Sequence, residues 1–123
     1  MLEKLLSEMD LNYFGTGKHK ISFEDLMIMY RSKNVYILDV RTEEECSYIK
    51  FSFAKNIPLN LLPEQINNIP KNKLIVVFCS SQTRAVIAYT YFLTRGYNCK
   101  ILLENINEIA NHFKPGYVRK LKN

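Results

Sequence analysis

Nowhere does the sequence hold an apolar run of about 18–20 residues, the length needed to cross a bilayer, so no membrane partner is expected. Nor does it open on an uninterrupted apolar stretch: Glu3, Lys4, Glu8 and Asp10 stand among the leucines of residues 1–10. A signal peptide needs such a stretch, and the expectation is a protein kept in the cytoplasm. Cysteines number three, Cys46, Cys79 and Cys99, with no CxxC pair, and histidines two, His19 and His112. That inventory is too thin and too dispersed for a zinc site, and a disulfide framework does not suit a reducing compartment. No metal and no cofactor are expected. A cysteine that matters here matters as a thiol. Internal repeats, low-complexity tracts and linkers that would split the chain are missing too.

What is present fits one ordinary domain over residues 1–123. A chain of 123 residues buries about two-thirds of the surface that its unfolded form exposes, enough for a single core without covalent staples. Hydrophobic residues make up 47% and charged residues 24%, the balance of a folded chain rather than a disordered one. The net charge of +5 favours encounters with anions. Part of it lies in residues 114–123, at Lys114, Arg119, Lys120 and Lys122, which read as a solvated basic tail. No nucleic-acid motif and no interleaving of aromatic with basic residues accompanies it, so no nucleic-acid partner is expected.

Leu2, Leu5, Leu6 and Met9 recur at helical spacing and predict a short amphipathic helix over 2–10. A loop over 12–20 follows, around Gly15 and Gly17, so that residues 1–20 form an N-terminal extension. Ser22 precedes Phe23, Glu24 and Asp25, an N-cap with acids in the first turn, and Leu26, Ile28, Met29 and Tyr30 carry that helix to about Ser32. Residues 35–38 are a short apolar run ending at Asp39, the pattern of a buried parallel strand. Thr42 with Glu45 three residues on is a capping box and predicts a helix over 43–49. Residues 56–59 read as a brief extended piece, and residues 61–69 as a loop or short helix bounded by Pro63 and Pro70.

Five apolar residues, 74–78, give the strongest strand signal, followed by a polar loop over 79–83. A helix runs from Arg84 to Thr94, stopped at Gly96 with Arg95 in its last turn. A further strand over 100–103 and a last helix over 105–112 complete the chain. Strands alternating with helices predict an α/β domain: a central, mostly parallel sheet flanked by helices. Ligands of such sheets bind beyond the carboxyl ends of the strands, and Asp39 and Cys79 both fall there.

A thiol is a nucleophile only when ionised, and a free cysteine titrates at about 8.5. Two features should favour ionised sulfur at Cys79. The loop after it opens a helix, whose unpaired N–H groups and positive dipole end lie close by. Arg84, five residues on, supplies a permanent positive charge if the loop curls into a cup. Ser80, Ser81 and Thr83 add hydroxyl donors and Gln82 an amide, so that the same cup suits an anion. The competing reading is a buried, inert cysteine after a strand.

Three blocks of residues stand in a telling order: Ile37-Leu38-Asp39-Val40-Arg41 with Glu43-Glu44-Glu45, then Ala54-Lys55-Asn56-Ile57-Pro58-Leu59, then Val76-Val77-Phe78-Cys79 through Arg84. With Ala88, Leu93 and Gly96-Tyr97, they make the stretch from about Ile21 to Leu103 resemble a single-domain rhodanese, the sulfurtransferase fold. The resemblance implies a rhodanese-like sheet with an extra N-terminal helix. It also implies a cysteine that takes sulfur from a small anionic donor such as thiosulfate, forms a persulfide, and hands it to a thiol, a cyanide-like acceptor or an acceptor protein. Carried over, Cys79 is the nucleophile, and the amides of Ser80, Ser81, Gln82, Thr83 and Arg84 hold the thiolate or persulfide. The Arg84 guanidinium braces the loop or meets the anion, and Asp39 with Arg41 forms a supporting pair under it. Phosphatases of a similar fold carry one residue more between cysteine and arginine than the four found here, which favours sulfur chemistry.

The chain departs from the family pattern in three places. Gln82 stands where the family has glycine, and a left-handed backbone there costs a non-glycine residue about 1–2 kcal/mol. Ile49-Lys50 replaces a Gly-His pair, and Glu104-Asn105 a Gly-Gly turn. Cys46 takes the place of an inward aromatic and reads as a small core residue, with a resolving thiol for Cys79 as the other possibility. Cys99 reads as packing, His19 as solvated, and His112 as a cation suited to the end of the last helix. Three readings stay open: a sulfurtransferase, a non-catalytic module that binds a partner or senses oxidants, and a small phosphatase or arsenate reductase, which the loop length disfavours.

Overall fold

Parallel pairing needs a crossover between each strand and the next, and the order of elements supplies one every time. The structure, a computed structural model, describes residues 1–115; Arg119, Lys120 and Lys122 of the basic tail lie outside the described residues. In chain order come α1 (Leu2–Ser7), α2 (Leu11–Gly15), β1 (Lys20–Ile21), α3 (Phe23–Arg31), β2 (Val35–Asp39), α4 (Glu43–Tyr48) and β3 (Lys55–Asn56). Then follow α5 (Leu62–Gln65), β4 (Leu74–Phe78), α6 (Thr83–Thr94), β5 (Cys99–Leu102) and α7 (Ile106–Asn111). The strands form one sheet in the order β1-β5-β4-β2-β3. Where a mostly parallel sheet was expected, every pairing among the described residues is parallel. None of the described helices is long and apolar enough to cross a membrane.

Side chains of a strand alternate between the two faces of its sheet, and here that alternation sorts the core. Leu38 and Val40 share one face with Ile75, Val77 and Cys79, packed with Leu62 of α5 and with Ala85, Ala88 and Phe92 of α6. Val35, Ile37, Val76 and Phe78 point the other way, toward Phe23 and Leu26 of α3 and Ile109 of α7. Cys79 thus continues the row of β4 that lies under α6, and its sulfur is directed at the start of that helix.

Local signals account for most helix ends. The predicted capping box forms at α4, with Thr42 Oγ1 accepting from the Glu45 N–H and the Glu45 carboxylate accepting from the Thr42 N–H. Asn105 and Glu108 make a second one at α7. α6 ends in a glycine cap: the Gly96 N–H donates to Leu93 O at 3.2 Å and the Tyr97 N–H to Phe92 O at 3.1 Å, with Gly96 at φ 80°. Such a left-handed residue is what this cap requires. Residues 61–69 resolve into α5 flanked by turns at Leu59–Leu61 and Ile66–Asn68.

The N-terminal extension differs from expectation. α1 ends at Ser7, and residues 12–20, expected as a loop, hold most of α2 and the start of the edge strand β1. Asp10 makes α2 possible, its carboxylate accepting the Tyr13 N–H at 2.9 Å. The Tyr13 hydroxyl then hydrogen-bonds to that of Tyr89 on α6, which ties the extension to the domain. His19 is half-buried rather than solvated. Its ring stacks 6.2 Å from Tyr13 and meets Phe14 edge-on at 5.1 Å, and burial, Lys20 and Lys100 hold its pKa below the usual imidazole value. His112 caps α7, pairs through Nε2 with Glu104 at 2.6 Å and stacks on Phe23 at 4.0 Å.

Candidate functional site

Cys79 stands at the carboxyl end of β4, beside the end of β2, where Asp39 faces Phe78 in the sheet register. It is 1% exposed. Its Sγ accepts a hydrogen bond from the Ala85 N–H at 3.3 Å. Ala85 is the third residue of α6, and its N–H is one of the donors that a helix start leaves without an intrahelical partner. That donor is normally met by the N-cap side chain. Here the N-cap residue, Gln82, makes no such bond, because its side-chain amide donates to Leu103 O at 3.0 Å. The sulfur of Cys79 caps the helix in its place, at the positive end of the dipole of a 12-residue helix.

The loop differs in detail from the expected ring of amides. Among the described residues the amide that reaches the sulfur belongs to Ala85, one residue beyond the Ser80–Arg84 set. Ser81, Gln82 and Thr83 are exposed, and Ser80 is half-buried. The backbone at Gln82 has φ −145°, so the left-handed strain considered for a residue in the family's glycine position is not incurred. A last tie joins the loop to α7, from the Ile106 N–H to Ser80 O at 3.3 Å.

Arg84 reaches across to α4, and its charge is also felt by Cys79. Its NH1 donates to Glu45 Oε1 at 2.6 Å and its NH2 to Glu45 Oε2 at 2.9 Å, and NH2 also donates to Ser80 Oγ at 2.9 Å. This is the bidentate geometry that makes arginine–carboxylate pairs strong. The bond from Arg84, followed by those from the Thr42 N–H and hydroxyl, holds the Glu45 carboxyl down to about 2 against the opposing effect of burial. Glu45 was recognisable in the sequence as a helix cap. Its partnership with a residue 39 positions on has no local signal.

The second guanidinium is more deeply set. Arg41 is 1% exposed, and NH2 meets Asp39 Oδ2 at 2.7 Å and Ile49 O at 2.8 Å. Its Nε and its backbone N–H also donate to the Asp39 carboxylate. Burial works against the charge on Arg41, and the bonds and charge of Asp39 outweigh it, so its pKa is raised. Asn56 Nδ2 donates to Asp39 O and Arg41 O, pinning the end of β2 on which the loop rests.

Cys46 Sγ donates to Asp39 Oδ2 at 3.5 Å. Burial, and then the charge of Asp39, push its thiol up to about 11, an environment that argues against a resolving role. Cys99 is buried, and burial raises its pKa as well. All three cysteines are free. Among the described residues no group of three or more His, Cys, Asp or Glu is placed to hold a metal ion.

Known proteins are similar to this chain in sequence and in fold. The family model for the rhodanese-like domain matches residues 22–112. A sulfurtransferase of Allochromatium vinosum is 30% identical over 66 residues, which cover 54% of this chain and 62% of that protein. An adenylyltransferase and sulfurtransferase of Ogataea parapolymorpha is 27% identical over 112 residues, 89% of this chain but 28% of that protein. The chain therefore spans less than two thirds of the length of either relative. The crystal structure of a rhodanese-related protein from Thermoplasma volcanium superposes with a TM-score of 0.68 at 24% identity, covering 79% of this chain and 95% of that one, a likeness of fold. With a family match over residues 22–112, this chain belongs to the rhodanese-like domain family.

Proposed function

We propose that the protein is a sulfurtransferase in which Cys79 accepts a sulfane sulfur as a persulfide and passes it to a thiophilic acceptor. The observation that carries this reading is the Cys79 sulfur itself, which takes the place of the α6 cap and accepts the Ala85 N–H at 3.3 Å. A negative sulfur is at home there, at the end of a helix where anions are stabilised. The names of the two relatives agree with it.

In the first half-reaction the Cys79 thiolate attacks the outer sulfur of a donor such as thiosulfate. The S–S bond of the donor breaks, sulfite departs with the electron pair, and Cys79 carries S–S⁻. In the second, a thiol or cyanide attacks the terminal sulfur and the Cys79 thiolate leaves, regenerated. Negative charge moves by one atom in each step and stays beside the Ala85 N–H. Because Cys79 is 1% exposed, the exposed turn at residues 81–83 must yield to admit the donor.

We place this chemistry in the cytoplasm, where acceptor thiols stay reduced. The test is thiocyanate formation from cyanide with a saturating sulfane donor, thiosulfate or an organic persulfide. The wild type turns over and Cys79→Ser does not. Equal turnover by the two proteins, or none by the wild type with either donor, refutes the proposal.

A further inference from the structure

We infer that Glu45 sets the donor class of this site: by engaging the Arg84 guanidinium it favours singly charged persulfides over dianionic thiosulfate. The inference rests on the sulfurtransferase reading above and narrows it to a class of substrate.

The cation that the loop could offer to an anion is already matched. Both terminal nitrogens of Arg84 lie on the two oxygens of Glu45, at 2.6 and 2.9 Å, and NH2 also donates to Ser80 Oγ. Arg41, the other guanidinium near the end of the strands, is buried against Asp39. Ser80, Ser81, Gln82 and Thr83 carry no charge. Lys50 and Lys55 line a cavity with Glu43, Cys46 and Asn56 that none of the loop residues borders. Among the described residues, two guanidiniums balanced by two carboxylates leave no unshared positive charge at the loop to offset the second negative charge of thiosulfate beside the Cys79 sulfur. A persulfide, R–S–S⁻, brings one charge: its outer sulfur bonds to the Cys79 sulfur, the S–S bond of the donor breaks, R–S⁻ leaves, and Cys79 ends as Cys–S–S⁻, with atoms and charge conserved.

Glu45 does not swing aside freely. Its Oε1 also accepts from the Thr42 N–H and Oγ1, each at 3.0 Å, so releasing Arg84 by moving this carboxylate would also open the cap of α4. The charge persists at neutral pH, since Arg84 and then those bonds keep the carboxyl down to about 2.

The experiment compares kcat and KM for thiosulfate and for the persulfide of N-acetylcysteamine, whose carbon frame is uncharged, in the wild type and in Glu45→Gln. Glutamine serves a capping box as glutamate does, so the substitution removes the charge and keeps the cap. The wild type is expected to use the persulfide with kcat/KM about tenfold above thiosulfate. Glu45→Gln should lower KM for thiosulfate about tenfold, the scale of gaining one charged contact at a partly exposed site, and leave the persulfide within about twofold. Adding Arg84→Gln to that variant should abolish the gain. A merely structural role for Glu45 would move both donors alike. A wild type that uses both donors equally, or an unchanged donor ratio in Glu45→Gln, overturns it while leaving the sulfurtransferase reading intact. A wild type that takes sulfur from neither donor overturns both.

Discussion

Replacing Asp39 by leucine should be the most damaging single change near the site that leaves Cys79 untouched. Arg41 is 1% exposed, and Asp39 takes its Nε, its NH2 and its backbone N–H. Without that carboxylate the guanidinium keeps Ile49 O as an acceptor and the charge of Glu45, and is otherwise a buried charge without a bonded counterion. Breaking a buried pair from one side costs about 3–5 kcal/mol, a fifth or more of the about 5–15 kcal/mol that holds a domain of this kind together. Val40, next to Asp39, donates its N–H to Phe78 O, so the loss falls on the strand end that supports the Cys79 loop.

Urea unfolding followed by far-ultraviolet circular dichroism measures it. The midpoint should fall by roughly 2 M with an unchanged slope, given a slope of about 1–3 kcal/mol per molar. The paired variant Asp39→Leu/Arg41→Met removes both charges and should recover most of the loss, because a buried ion pair exchanged for apolar side chains is often neutral. A single variant that loses less than about 1 kcal/mol, or a double variant weaker than the single, would refute this account of the pair.

Further predictions concern groups away from the sulfur. With its pKa raised from 9.0 to about 11, Cys46 keeps its contribution to stability below about pH 9 and loses it as pH rises through about 11. Iodoacetamide at pH 9, with peptide mapping, should leave Cys46 unlabelled in the folded protein, and labelling at the rate of a free thiol would contradict its burial against Asp39. The Tyr97 hydroxyl lies 2.8 Å from Ile66 O and 2.9 Å from Ile69 O, holding the segment between α5 and β4. Tyr97→Phe should cost about 1–2 kcal/mol by leaving a buried acceptor unmet, and thermal unfolding indistinguishable from wild type would show that water reaches those carbonyls.

The central strands, the α4 cap and α6 were readable because each rests on neighbours in sequence: apolar runs at 35–38 and 74–78, Thr42 with Glu45, Gly96 after Thr94. α2 was not, because Gly15 and Gly17 argue for a loop while part of what holds the helix is remote, the Tyr13–Tyr89 bond spanning 76 positions. The place of Cys79 could be inferred from strand, loop and helix in succession. Which amide reaches its sulfur could not, since that depends on the face of β4 to which Cys79 belongs and on how tightly the loop enters α6. Gln82 illustrates the same limit: a glycine position in relatives is filled here at φ −145° with the side chain bonded 21 residues away. Arg84 looked like an anion ligand from spacing alone, and its answering carboxylate lies on another helix.

The most direct test is peptide mass spectrometry of the protein after brief exposure to a sulfane-sulfur donor and removal of the excess. One added sulfur atom should map to the peptide carrying Cys79 and disappear when cyanide is added. Sulfur found on Cys46 or Cys99, or none on Cys79, would contradict the assignment of that residue as the sulfur carrier.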